Sequence, residues 1–199
     1  MSLWEKFKQV LNTLKENFVF TLWFMIVIWA VYFLDCLSLG YLSRFGIHPW
    51  DFKWLPGIIL MPFLHKNFAH IFINSLSLAP LMFIALSYNQ RTGYNAIVTI
   101  ILIGGLGVFF LGTGDNHIGA SGLIYGLIGY LMFLGYFEKS LKAWFFSIPI
   151  LFFYTATIFL MMIPVEGVSW AGHFWGFVAG VLAAKILYKK SENANRFSW

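Results

Sequence analysis

Apolar and polar positions alternate in long blocks along this chain. Uncharged runs of 18, 24, 23, 22, 23 and 18 residues lie between Glu16 and Asp35, Lys66 and Arg91, Arg91 and Asp115, Asp115 and Glu138, Lys142 and Glu166, and Glu166 and Lys185. A helix needs roughly 20 apolar residues to cross the hydrocarbon core of a bilayer. The pattern therefore predicts six spans, at about 18–34, 68–87, 94–112, 119–137, 143–163 and 167–187. Residues 1–16 read differently. Leu3, Trp4, Phe7, Val10, Leu11 and Leu14 fall at helical spacing with Lys6, Lys8 and Lys15 on the other side, which predicts a short amphipathic helix on the membrane face. Between Asp35 and Lys66 lies a third pattern. Trp50, Phe52, Trp54, Ile58, Ile59, Leu60, Met61 and Phe63 are interrupted by Pro49, Pro56 and Pro62. That segment is too apolar for a solvated loop and too broken by proline for a span, so a partly membrane-embedded loop is expected. The domain reading is an N-terminal segment 1–16, one six-helix domain 17–187 and a tail 188–199.

Charge placement orients these spans. Lys6, Lys8, Lys15, Arg91, Lys139, Lys142, Lys185, Lys189, Lys190 and Arg196 fall on the side of the termini, against Arg44, Lys53 and Lys66 on the other. Cytoplasmic loops carry the excess of Lys and Arg, so both termini are expected in the cytoplasm. Ser121 then lies near the outer face. The first apolar run ends in bulky Tyr32-Phe33-Leu34, which argues against a cleavable signal peptide. Composition agrees with the membrane class: hydrophobic residues are 60% and charged residues 11%, against about 45–50% and about 25% in soluble proteins. A single cysteine, Cys36, excludes an intramolecular disulfide and a four-thiolate metal site. The net charge of +5 is spread along loops, without the clustered basic face a nucleic-acid binder would show. No inverted repeat is visible, which counts against a transporter.

Few polar groups lie within the spans, and function is the default hypothesis for them. His70 and Asn74 are four residues apart on one face of span two, five residues after His65. Either could instead be interhelical hydrogen-bonding glue. Gly172, Gly176 and Gly180 recur every fourth residue around His173 in span six, and Gly122 and Gly126 do the same after Ser121 in span four. Two such faces can pack backbone to backbone. They would bring a hydroxyl and an imidazole together, the minimal nucleophile–base pair for covalent catalysis. Ser121 could equally be a packing residue bonded to its own backbone, and Gly-x-Ser-Gly alone is a weak signal; the weight lies in its conjunction with His173, His70 and Asn74. A zinc protease using His65, His70, His117 and His173 is the enzyme rival, but the sequence lacks His-Glu-x-x-His.

The ordered set His65-x4-His70-x3-Asn74, Gly119-Ala120-Ser121-Gly122 with Tyr125, and His173 with its glycine spacing resembles the rhomboid intramembrane serine proteases. The similarity runs from about residue 15 to 187. It implies an all-α membrane protein with a six-transmembrane-helix bundle and a partly embedded first loop. It also implies a serine endopeptidase that cuts transmembrane protein substrates near the outer membrane face, entering laterally near span five, with no cofactor and no metal. By resemblance Ser121 is the nucleophile and His173 the general base. His70 and Asn74 stabilise the oxyanion together with backbone N–H groups around Ser121 and Gly122. Tyr125 packs beside His173, His65 buttresses the loop, and Gly119, Gly172 and Gly176 support the site. A bacterial inner membrane is the expected location. Asp115 and Glu166 lie in loops, so a Ser-His-Asp triad is not expected. Two departures concern packing. Trp50-Asp51 stands where many members carry Trp-Arg, and Gln90-Arg91 where Glu-Arg is frequent. The remaining alternatives are a catalytically inactive binder of membrane proteins and a small transporter.

Overall fold

The computed structural model describes residues 2–114, 116–161 and 169–196. Among the described residues seven α-helices follow in order: α1 Leu3–Leu37, the single-turn α2 Gly57–Leu60, α3 Phe68–Tyr88, α4 Gln90–Leu111, α5 Ser121–Glu138, α6 Leu141–Met161 and α7 Trp170–Arg196. All but α2 are long and apolar enough to span a membrane, so the chain is a multi-pass integral membrane protein. Each expected span falls on one of these helices to within two residues at its described ends; residues 162–163 and 167–168 lie outside the described residues.

Two expectations change in form. The amphipathic segment 1–16 and the first span are one helix of 35 residues, opened by a Ser2–Glu5 capping box. No glycine or proline interrupts residues 3–37, so nothing ends the helix at the membrane boundary. At 1.5 Å per residue α1 is about 52 Å long, well beyond the ~30 Å hydrocarbon core, and Leu3, Trp4 and Phe7 on its first turns are exposed. The first loop is ordered by short 3₁₀ turns at Leu42–Phe45, Phe52–Trp54 and Met61–Phe63. Asp35, in the last turn of α1, anchors it, its carboxylate accepting the Leu42 and Ser43 N–H groups at 2.7 and 3.1 Å.

Helix α5 is the centre of the bundle. It packs most extensively on α7 and α6 and also touches α3 and α4, while α4 and α7 pack on each other. Leu123, Leu127, Ile128, Tyr130 and Leu131 of α5 are buried among Leu78, Leu81, Met82 of α3 and Ile97, Ile100 of α4. Lipid tails are as apolar as leucine, so close van der Waals fit and small residues decide such packing. The glycines provide it. A Cβ on Gly176 or Gly180 would run into the carbonyls of Gly122 and Gly126, and one on Gly129 would stand 2.6 Å from the Phe177 carbonyl.

Both family departures are accommodated. Gln90 Nε2 donates to Asn17 Oδ1 at 3.0 Å and to Glu16 Oε2 at 3.2 Å, tying α4 to α1. Trp50 N donates to the Phe109 carbonyl at 3.1 Å, its ring meets Phe110 edge-on, and the Asp51 carboxylate caps its own turn at Lys53. Helix α6 is different. Ser147 Oγ donates to the Leu131 carbonyl at 2.7 Å and accepts the Gly135 N–H at 2.8 Å, fixing its first half on α5. Its second half turns Phe152, Phe153 and Phe159 outward, each at least 71% exposed.

Candidate active site

Ser121 is the first residue of α5, and the backbone before it is tightly held. Gly119 N donates to the Met61 carbonyl at 2.9 Å and Ala120 N to His65 Nε2 at 3.4 Å. Gly119 has φ 115°, a left-handed conformation open to glycine. A side chain there would also meet His70, whose Cε1 and Nε2 would lie 2.6 and 2.7 Å from a Cβ, with Asn74 Nδ2 at 3.5 Å. The imidazole of His70 and the amide of Asn74 thus lie against the chain just before Ser121. No side chain caps α5, and the first N–H groups of a helix have no intrahelical acceptor. Those N–H groups and the positive end of the helix dipole favour negative charge beside Ser121.

His173 lies in the first turn of α7, and its N–H donates to the Ser169 carbonyl at 3.2 Å. Its ring stacks on Tyr125, with centroids 4.3 Å apart and planes at 29°. Ser121, Tyr125, His173, His70 and Asn74 line one cavity of about 500 Å³. Ile73 and Ser77 of α3, Ile124 of α5, Thr157 of α6, and Lys66 and Asn67 complete the wall. Asn74 is 6% exposed, and its Nδ2 has no hydrogen-bond partner among the described residues. An unpaired buried donor is costly, so this one is available to an oxygen entering the cavity. Ser121 and His173 face the same cavity, with no hydrogen bond between them among the described residues. Such bonds are often long before substrate binds and tighten in the complex.

Of the remaining expected residues, Gly122 lies under α7, where a Cβ would be 3.2 Å from the Gly172 carbonyl. At Gly172 a Cβ would be 2.8 Å from Ser169 Oγ. Gly176 packs on Gly122. His65 is buried at 1% exposure, and its ring meets His70 edge-on at 5.1 Å. Burial lowers its pKa to about 4, helped by His70 and opposed by the Phe63 carbonyl. Acceptance of the Ala120 N–H also requires an unprotonated Nε2. His117 lies in the loop before α5, and burial lowers its pKa, opposed by the Thr113 carbonyl and helped by His48. The four histidines of the zinc reading do not converge: among the described residues no three of His, Cys, Asp and Glu form a metal-binding group. Asp115 and Glu166 lie outside the described residues.

The chain has counterparts among known sequences. Residues 53–190 match the Rhomboid domain family. This chain belongs to the rhomboid family. Its members are generally intramembrane serine proteases, and inactive relatives also occur. Uncharacterized proteins of Mycobacterium bovis and Mycobacterium tuberculosis are each 36% identical over 183 residues, covering 86% of this chain and 75% of theirs. One of Mycobacterium leprae is 35% identical over 176 residues, covering 82% of this chain and 68% of its own length.

Several contributors were not singled out from the sequence. Ser77 and Thr157 carry no signal of their own. Ser169 does, since a serine one residue before a helical pattern is a typical N-cap.

Proposed function

We propose that this rhomboid is an intramembrane serine endopeptidase that cleaves transmembrane protein substrates through Ser121 and His173. One observation carries the reading: five polar or aromatic side chains from α3, α5 and α7 line the same cavity at the N-terminal end of α5. Ser121 Oγ attacks the scissile carbonyl and its proton passes to His173. The tetrahedral oxyanion is received by the first N–H groups of α5, Asn74 Nδ2 and the His70 ring. His173, stacked on Tyr125, then protonates the leaving amine. Water hydrolyses the acyl-enzyme. One oxyanion donor is worth about 2.7–4 kcal/mol, so His70→Ala or Asn74→Ala impairs cleavage without abolishing it.

The geometry of α6 supports lateral entry of an unwound substrate between α3 and α6, because Thr157 forms the cavity wall on that side. The basic residues of the terminal side support cytoplasmic termini and an outward-facing cavity, and the mycobacterial relatives support a bacterial inner membrane.

The test is labelling of the purified protein by a fluorophosphonate, together with cleavage of a model transmembrane substrate. Labelling is expected in the wild type and absent in Ser121→Ala and His173→Ala. Labelling that persists in Ser121→Ala would overturn the assignment. A wild type that binds substrate without cutting or labelling would favour the inactive-binder reading.

A further inference from the structure

Ser169 and His117 stand 52 residues apart in the chain, and their side chains meet with Nδ1 2.6 Å from Oγ. Ser169 Oγ also accepts the Gly172 N–H at 3.0 Å, which makes it the N-cap of α7. With a lone pair given to that N–H, its single hydrogen is free for His117 Nδ1. The other end of the contact is equally fixed. His117 is 5% exposed, and its backbone forms an isolated antiparallel bridge with Ile47 of the first loop, at 3.0 and 2.8 Å. His117 lies four residues before Ser121, and Ser169 four residues before His173. The pair therefore joins the entrances of the two helices that carry the proposed dyad.

The glycine faces of α5 and α7 set how close the two helices come, but a smooth backbone surface resists rotation about the helix axis only weakly. Rotation matters here. Side-chain groups sit about 5–6 Å from a helix axis, so turning α7 by about 10° would move the His173 ring by about 1 Å. A misplacement of that size can cost about 100-fold in rate. A directional hydrogen bond one turn from His173 opposes it.

We propose that the His117–Ser169 hydrogen bond is a positioning couple that fixes the start of α7 against the loop before α5 and so holds His173 at its working distance from Ser121. The inference rests on the Ser121–His173 reading. Neither residue touches the reacting atoms in this scheme; both act through His173.

The test measures kcat and KM for a model transmembrane substrate, and the fluorophosphonate labelling rate, in His117→Phe, Ser169→Gly, their double variant, Ser169→Thr and His117→Asn. Glycine is itself an acceptable N-cap, so Ser169→Gly removes the bond to His117 while largely sparing the helix start. Each of the first two should lower kcat and the labelling rate roughly 30- to 100-fold, within the cost of a 1 Å misplacement, with KM changed less than about twofold. The double variant should be no worse than either single variant, because the bond is already lost in each. Ser169→Thr keeps the hydroxyl, and His117→Asn places an acceptor where Nδ1 was; both should recover most of the rate. If His117→Phe does not fold, Ser169→Gly against Ser169→Thr makes the same comparison. Unchanged kcat in Ser169→Gly, or losses that multiply in the double variant, would overturn the inference and leave the protease reading standing. A wild type that neither cuts nor labels would overturn both.

Discussion

Alanine placed at successive glycines of the bundle should damage the protein in a graded order that follows what a Cβ would meet. At Gly104 of α4 the new methyl would lie 3.4 Å from Gly176 Cα and 3.6 Å from Ala179 Cβ, which is ordinary contact. Alanine is up to about 1 kcal/mol better than glycine inside a helix, so Gly104→Ala should be neutral or slightly stabilising. At Gly122 the neighbours are the flexible Met61 Cε at 3.1 Å and the Gly172 carbonyl at 3.2 Å, which predicts a small loss. At Gly129 the methyl would be 2.6 Å from the Phe177 carbonyl. Carbon–oxygen contacts settle near 3.3 Å, so α5 and α7 must part by roughly 0.7 Å there. At Gly176 and Gly180 the obstacle is the carbonyl of Gly122 or Gly126, backbone that cannot swing aside, and the overlap is larger still. Overpacking of this kind costs about 1–3 kcal/mol, more than helix propensity returns. Thermal unfolding in mild detergent should rank stability Gly104→Ala, Gly122→Ala, Gly129→Ala, then Gly176→Ala and Gly180→Ala. The labelling rate of Ser121 should fall about 100-fold in the last two, since displacing α7 by about 1 Å displaces His173. Equal damage at Gly104 and Gly180, or full activity in Gly180→Ala, would refute the claim that these glycines set the distance between α5 and α7.

Acid should weaken the fold through His65. Its folded pKa of about 4 lies below the ordinary 6.5, so the unfolded chain binds more protons between these values. The contribution is complete above pH 6.5 and is lost as pH falls toward 4; the full span is about 3 kcal/mol. Unfolding midpoints measured from pH 7 to 4.5 should decline, less steeply in His65→Gln, and a flat profile in the wild type would count against the buried neutral imidazole. Gly119→Ala must leave φ 115° or displace the His70 ring, so kcat should drop more than about 100-fold under the same 1 Å argument, and near-normal turnover would show that the loop before Ser121 adapts. Ser147→Ala removes a hydroxyl that bridges Leu131 and Gly135; a loss of about 0.6–1.7 kcal/mol is expected for such a membrane hydrogen bond, read as a lower unfolding midpoint. Bridging Ser77→Cys to Thr157→Cys with a bifunctional maleimide, in a Cys36→Ser background, should block transmembrane substrates while fluorophosphonate labelling persists. Undiminished cleavage of such substrates would exclude entry between α3 and α6.

How much of this could be read beforehand depends on the range of the physics involved. The spans were legible because lipid enforces one rule on every segment, a run of about 20 apolar residues, and that rule is local. The meeting of α5 and α7 was legible because each glycine face repeats every four residues within its own helix. The extension of α1 was missed for a related reason. Amphipathic and spanning patterns differ in what surrounds them, but both are helical, and nothing between Leu3 and Leu37 breaks a helix. What local pattern cannot supply is a contact between single residues distant in sequence, such as Ala120 N with His65, Ile47 with His117, or His117 with Ser169. Each of these contacts is made by a residue just ahead of α5 or of α7. Glycine faces allow two helices to approach but leave their rotation loosely set, so a site needing sub-ångström geometry must add directional contacts at the helix entrances. Those contacts come from the first loop and from the loop before α5. The backbone of the proline-broken, apolar first loop thus pairs with the segment that precedes Ser121, at Ile47 with His117 and at Met61 with Gly119. On this view a polar substitution at Ile47, which does not line the cavity, should reach the dyad through His117 and Ser169, whereas the same change at exposed Leu76 of α3 should not.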